Sequence, residues 1–531
     1  MKQAMATRLQ GIGASDGLFM GPVRRLGGKA LMERRAGSPD GEHEVLRHAI
    51  TLASADVAAL MERVEGEAQD MLGFQLAMLE DDALSAPALS VIQSGIGAHV
   101  AWADALNAEI AGYEASEDDY FRARAADMKD LRDRVLRHIM GEAEQAAEPG
   151  AVLAGDDIGP TAFLETDWSK GGAIALAHGS TTSHVAMLAR ARGIPMVVGL
   201  GDAPFLDART LIVDGGTGTV TPDPDGAAIN AYQTQLGALA QARAAAERFR
   251  FKPALRKSGA RIEILVNVAG VEELDHIDPA SCDGIGLMRS EFLFRDGAPL
   301  PDEETQYRAY RRFLEWAEGR PVTIRTLDIG GDKPIRGLTP EGEQNPFLGL
   351  RGVRLTLAHE QVFRTQIKAL LRAAVNGSLK VMIPMVTVPG EITRTGKLFA
   401  ECITELEAKG IACRMPPLGI MVEVPAVAVA PELFGEAQFF SIGSNDLTQY
   451  VTASSRDDSR VASLNDPSHP AVLRLIASVA RHGRETGTPV SLCGDMASDP
   501  RHIGVLLEAG LTSLSVAPAR LAAIKAAIAE L

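Results

Sequence analysis

Apolar residues along this chain repeat with two periods, and the period changes at identifiable places. Residues 8 to 26, with Gly11-Ile-Gly-Ala-Ser-Asp-Gly17, have the short runs and glycine punctuation of a turn-rich β segment. From about residue 31 to residue 145 the spacing is helical, as in Leu72, Leu76 and Leu79 and in Leu131, Val135 and Ile139, and Pro87 is the one proline there besides Pro39. This predicts an all-helical bundle. Strands resume at Ala151-Val-Leu-Ala and Ile174-Ala-Leu-Ala, and the pattern closes near Leu211-Ile-Val-Asp-Gly-Gly-Thr-Gly-Thr-Val220. The bundle, residues 28–145, therefore reads as an insertion in an α/β domain built from residues 1–27 and 146–225.

An alanine-rich helical stretch follows, from about Ala227 to Arg250, and is broken by Pro253. At 1.5 Å per residue it spans roughly 35 Å, which suits a swivel between domains as well as a helix packed on one neighbour. Residues 226–255 are read as a helical linker. Over residues 256–531, β-branched runs alternate with helical patterns: Ile262-Glu-Ile-Leu-Val, Gly284-Ile-Gly-Leu-Met, Val322-Thr-Ile-Arg-Thr, Gly352-Val-Arg-Leu, Leu379-Lys-Val-Met-Ile, Leu418-Gly-Ile-Met-Val, Phe439-Phe-Ser-Ile and Val490-Ser-Leu-Cys. Eight such runs predict a (β/α)8 barrel, whose active site lies at the C-terminal mouth. Arg289, Arg325, Glu423, Asn445, Asp446 and Cys493 stand at or just beyond the ends of these runs.

Charge and cysteine usage narrow the class. The formal net charge is −16, and residues 31 to 145 hold 23 Asp and Glu against 10 Lys and Arg, so most of the excess sits in the bundle. With no long basic stripe, nucleic acid is excluded as the expected partner. The acidic bundle is either a solvated face or a docking surface for a basic partner. No apolar run approaches the roughly 18 residues of a membrane span, so membrane insertion is not expected. Cys282, Cys402, Cys413 and Cys493 show no C-x-x-C spacing and read as cytoplasmic thiols.

The candidate residues share one chemistry, that of a phosphorylated carboxylate. Arg289 and Arg325 offer planar forks for phosphate oxygens, with Arg351 and Lys333 as further cations. Glu423 and Asp446 are hard oxygen ligands suited to Mg2+. Asn445 and Arg456 suit a carboxylate or phosphate, and Cys493 at a cation-rich mouth would hold or release a proton near neutral pH. Taken singly, salt bridges, helix caps and core packing account for any one of them more readily than function does. His184 lies between a hydroxyl-rich turn, Thr181-Thr-Ser183, and an amphipathic helix that Gly193 and Pro195 terminate. A histidine in a first helical turn sits where free N–H groups favour an anion, and that suits a phosphoryl group carried on imidazole.

Together these stretches form an ordered series: Gly286-Leu-Met-Arg-Ser-Glu-Phe-Leu-Phe294, Arg325-Thr-Leu-Asp-Ile-Gly-Gly-Asp-Lys333, Asn345-Pro-Phe-Leu-Gly-Leu-Arg351, Val422-Glu-Val-Pro425, Ser441-Ile-Gly-Ser-Asn-Asp-Leu-Thr-Gln-Tyr450 and Cys493-Gly-Asp. With the Thr-Ser-His stretch at His184, the series resembles Enzyme I of the phosphoenolpyruvate:sugar phosphotransferase system over essentially the whole chain. The resemblance implies a multidomain α/β protein: a swivelling phosphohistidine domain with an inserted helical bundle, followed by a TIM barrel. It implies His184 as phosphoryl acceptor, Arg289, Arg325, Asn445 and Arg456 as phosphoenolpyruvate ligands, Glu423 and Asp446 as Mg2+ ligands, and Cys493 as proton donor to the enolate. It also implies a histidine-containing phosphocarrier protein docking on the bundle, release of pyruvate, and a homodimer through the barrel. Two departures stand beside His184. Ser180 and Thr181 occupy places where the family has other residues, and Pro160-Thr-Ala-Phe163 replaces a more hydroxyl-rich segment, so a hydrogen bond to the imidazole is absent or comes from Thr161. Pyruvate phosphate dikinase and phosphoenolpyruvate synthase would need a nucleotide-binding domain for which there is no room and no P-loop. A paralogue feeding a nitrogen-regulatory phosphorelay and a phosphoenolpyruvate sensor without turnover are the remaining alternatives.

Overall fold

The computed structural model describes residues 8–26, 34–64, 67–114, 119–141, 149–181, 183–201, 204–294, 299–331, 335, 337–340, 342–455, 461 and 464–531. The chain divides into two compact units, the first through Ala238 and the second from Leu239. The helix Gly226–Glu247 contains the division.

In the first unit, Leu18–Arg25, Val152–Gly155, Ala173–Leu176 and Met196–Val198 form four parallel neighbours in a mixed sheet. Thr210–Asp214 pairs antiparallel with the first of these, and Ile12–Ser15 with the last. Side chains alternate between two apolar layers: Leu153, Ile174 and Met196 on one face, Val152, Ala173 and Val197 on the other. Both faces are covered, as a parallel sheet requires. Between Leu18–Arg25 and its parallel neighbour Val152–Gly155 the described residues form five helices, Pro39–Met61, Glu67–Glu80, Asp82–Ile92, Ala98–Glu114 and Asp119–Met140. They bury Leu46, Leu72, Trp102 and Val135 in a core of their own. Ser38 and Asp81 cap two of them, accepting hydrogen bonds from the Gly41 and Ala83 amides.

Polar ties fasten the bundle to the sheet domain. Buried Arg134, on the helix Asp119–Met140, pairs with Glu165 of the sheet domain and, at 3.4 Å, with Asp56 of the bundle. Asp130, one turn earlier, accepts from the Thr161 amide at 3.2 Å and from its hydroxyl at 2.7 Å. Gly159 permits that approach, because a Cβ there would lie 2.5 Å from the Asp130 carboxyl carbon.

In the second unit, Arg261–Val268, Ile285–Arg289, Val322–Arg325, Leu379–Ile383, Leu418–Val422, Phe440–Ile442, Val490–Leu492 and Ser513–Val516 are parallel, each to the next. The last pairs with the first, closing an eight-stranded barrel. One expected strand is not there. Gly352-Val-Arg-Leu belongs to the helix Val353–Ala358, because Gly352 at φ +58° turns the chain into it and Val353, Leu355 and Leu357 are buried from the helix. The eighth strand is Ser513–Val516, whose serines break the apolar run. Leu514 and Val516 enter the main core, and the Ser515 hydroxyl donates to Asn267 at 2.7 Å. No helix among the described residues is long and apolar enough to cross a membrane.

Candidate active site

His184 opens the helix His184–Arg192. Ser183 is its N-cap, accepting from the Ala186 amide at 3.2 Å, and Gly193 ends it at φ +65°. The imidazole is partly exposed. Its Nδ1 lies 3.7 Å from Oδ2 of Asp127, a buried carboxylate on the bundle helix Asp119–Met140. Asp127 carried no signal in the sequence, since only the packing of the bundle brings it beside His184. Of the two alternatives for Thr161, the structure favours absence of a bond to the imidazole: its hydroxyl is taken by Asp130, which also draws the Thr161 amide. Burial raises the Asp130 pKa from its ordinary value against the pull of Arg134 and Thr161.

In the second unit the strand ends gather the remaining candidates. Arg289 and Arg325 are the last residues of their strands. Arg325 donates to Glu291 at 3.1 Å and pairs with Asp328 at 3.0 Å. Glu291 also accepts from the Asp328 amide at 2.8 Å. Arg351 spans Asp328 and Asp446, with bonds between 3.1 and 3.3 Å. Glu423 follows the strand Leu418–Val422 and accepts from the Met385 amide at 2.6 Å. Asn445 and Asp495 are joined twice: the Asn445 amide group donates to the Asp495 carboxylate, and Asn445 Oδ1 accepts from the Asp495 backbone, each at 2.9 Å. Lys333 and Arg456 lie outside the described residues.

Four carboxylates, Glu291, Asp328, Glu423 and Asp446, thus surround two buried arginines. Burial opposes charge on Arg325, but Glu291 and Asp328 hold its pKa above the ordinary value; Asp328 and Asp446 do the same for Arg351. Burial, and then Asp328 and Asp446, push Glu423 up to about 8. A carboxylate so disfavoured as an anion, beside a second one, fits a hard divalent cation. No three His, Cys, Asp or Glu side chains converge as a metal cage among the described residues. Two carboxylates that leave positions for water and substrate oxygens is the way Mg2+ is commonly held.

Cys493 lies just past the strand Val490–Leu492 and is buried against Leu287, Met382, Met421 and Phe439. Its expected titration near neutral pH is corrected: burial drives the thiol pKa up to about 11, so it is a protonated group at pH 7. Asn267 fixes the loop by donating to the Cys493 carbonyl at 2.9 Å. The carboxylates that orient the arginines, Glu291 and Asp328, escaped the sequence reading. Both lie within motifs already singled out, two and three residues after an arginine.

Residues 10–124, 147–218 and 243–531 match the N-terminal, mobile and PEP-binding domains of PEP-utilising enzymes. The chain is 34% identical over 539 residues to the phosphoenolpyruvate-protein phosphotransferase of Bacillus sp. (strain S), covering 98% of this chain and 93% of that protein. It is 35% identical over 549 residues to the protein of that name from Cupriavidus necator, covering 98% and 94%. A multiphosphoryl transfer protein of Rhodobacter capsulatus is 38% identical over 456 residues, which are 84% of this chain; the chain spans about half, 54%, of that relative. On this similarity over nearly its whole length, the chain belongs to the phosphoenolpyruvate-protein phosphotransferase family of PEP-utilising enzymes.

Proposed function

We propose that this protein transfers the phosphoryl group of phosphoenolpyruvate to Nε2 of His184 and then to a histidine of a small phosphocarrier protein, as the first step of a sugar-uptake phosphorelay. The observation that supports the choice of atom is the 3.7 Å approach of Asp127 to Nδ1, the other ring nitrogen. In the barrel, Arg289 and Arg325 bind phosphate oxygens, with Arg351 and Lys333 as further cations, and Asn445 and Arg456 bind the carboxylate end. These groups position the substrate and offset charge, which is most of what phosphoryl transfer asks of a protein. Glu423 and Asp446 would hold Mg2+, which would supply Lewis-acid polarisation to the substrate's oxygens. As the P–O bond breaks and the N–P bond forms, the enolate takes a proton at its methylene carbon from the Cys493 thiol and leaves as pyruvate.

The acidic exterior of the bundle supports docking of a phosphocarrier with a basic face. Val429 and Leu433, 66% and 61% exposed after the fifth barrel strand, support a homodimer through the barrel. The test is pyruvate release: one equivalent per protein without a phosphocarrier, and continuous turnover with phosphocarrier and Mg2+. Continuous release without a carrier would contradict the relay.

A further inference from the structure

The residues read above as a substrate ligand and a metal ligand, Arg351 and Asp446, are bonded to each other. Nη1 of Arg351 donates to Oδ1 of Asp446 at 3.2 Å and Nη2 to Oδ2 at 3.3 Å, so both oxygens of the carboxylate are engaged. The same guanidinium holds Asp328 through Nε at 3.2 Å and Nη2 at 3.1 Å, and Nη1 reaches the Tyr450 hydroxyl at 3.3 Å. Arg351 is 4% exposed and Asp446 8%. A buried carboxylate already forked by a guanidinium offers little to a divalent cation, and a cation beside it would repel that guanidinium. A phosphoryl group is the stronger bidentate partner for the same fork.

We propose that Arg351 is an exchange residue. In the unloaded barrel it neutralises Asp446; as substrate enters, its guanidinium turns to the phosphoryl oxygens and frees Asp446 for the divalent cation. The backbone next to Arg351 is closely packed: Gly352 sits at φ +58°, where a Cβ would lie 2.7 Å from the Met385 Cβ, so the exchange is assigned to the guanidinium and not to the chain. Substrate and metal then load together, and each raises the affinity for the other by the same factor. This rests on the assignment of Glu423 and Asp446 as metal ligands.

The test uses full-length His184→Ala protein, so that phosphoenolpyruvate is not consumed, with Mn2+ as the probe and free Mn2+ read by electron paramagnetic resonance. Phosphoenolpyruvate is expected to tighten Mn2+ binding about tenfold or more. In the Arg351→Lys and Arg351→Gln variants, Mn2+ should bind several-fold tighter without phosphoenolpyruvate and gain little from its addition. Lysine keeps the charge but cannot fork two carboxylates, so tightening in Arg351→Gln alone would reduce the effect to charge and overturn the exchange. Mn2+ affinity indifferent to phosphoenolpyruvate in His184→Ala would overturn it without any change at position 351. Asp446→Asn tells the two failures apart. If it leaves Mn2+ binding intact, the metal assignment fails and takes the exchange with it; if it abolishes binding while Arg351→Lys changes nothing, the exchange alone fails.

Discussion

Nδ1 of His184 faces the carboxylate of Asp127 at 3.7 Å, and the two residues come from different layers of one unit, the sheet domain and the inserted bundle. The bundle thereby places a buried carboxylate beside the histidine. At 3.7 Å the pair is beyond hydrogen-bond length; a carboxylate that closed on an Nδ1 proton as the phosphoryl group arrived would leave Nε2 as the nucleophile. Asp127→Asn should slow phosphoryl uptake on the order of 10- to 100-fold while phosphoenolpyruvate binding is unchanged. The check is the single-turnover rate beside a calorimetric binding curve. An unchanged rate would show the contact to be packing only.

Cys493 gives a second prediction. Its thiol stays protonated at neutral pH because burial pushes its pKa up to about 11. Cys493→Ser is a slightly smaller replacement that should keep the substrate affinity but substitutes a far weaker acid for the thiol, so pyruvate release should fall by about two orders of magnitude or more. Equal release rates for the two proteins would assign the proton to another group.

A pH dependence of stability follows from Glu42, which is 2% exposed. Burial alone would raise its pKa, but bonds from Arg34, Ala98 and Gly37 bring it down from 4.5 to about 2. A depressed folded-state pKa stabilises the protein above the unfolded value, and that stability is lost as pH falls from about 4.5 towards 2. The loss is on the order of 2 to 3 kcal/mol. Thermal melts of Glu42→Gln should fall below wild type at pH 6 and converge with it near pH 2. A constant offset across that window would contradict the linkage.

The relay predicts a salt effect. Reversing exposed carboxylates of the bundle, such as Glu62 and Glu80, should slow transfer to the phosphocarrier and spare uptake from phosphoenolpyruvate. The deficit should shrink as salt rises, since exposed charges are screened over about 8 Å at physiological ionic strength. Stopped-flow transfer at two salt concentrations measures it. Slowing that salt does not reduce would point to a misfolded bundle.

Periodicity made the bundle and seven of the barrel strands legible, because each buries a regular apolar face. It failed at Gly352-Val-Arg-Leu, where β-branched residues lie in a buried helix, and at Ser513–Val516, where serines that bond across the barrel interrupt the pattern. Arg289, Arg325, Glu423 and Cys493 were legible because the ends of barrel strands are fixed in sequence. Asp127 and the pairing of Arg351 with Asp446 were not, because both relationships join segments far apart in the chain.

His184 as acceptor of the phosphoryl group of phosphoenolpyruvate is open to direct test. Incubation of the full-length protein with 32P-labelled phosphoenolpyruvate and Mg2+ should give an acid-labile, alkali-stable label on the peptide containing His184. The His184→Ala protein should bind phosphoenolpyruvate with normal affinity and take up no label. Label on His184→Ala at the wild-type rate, or label on wild type at another residue, would show that His184 is not the acceptor.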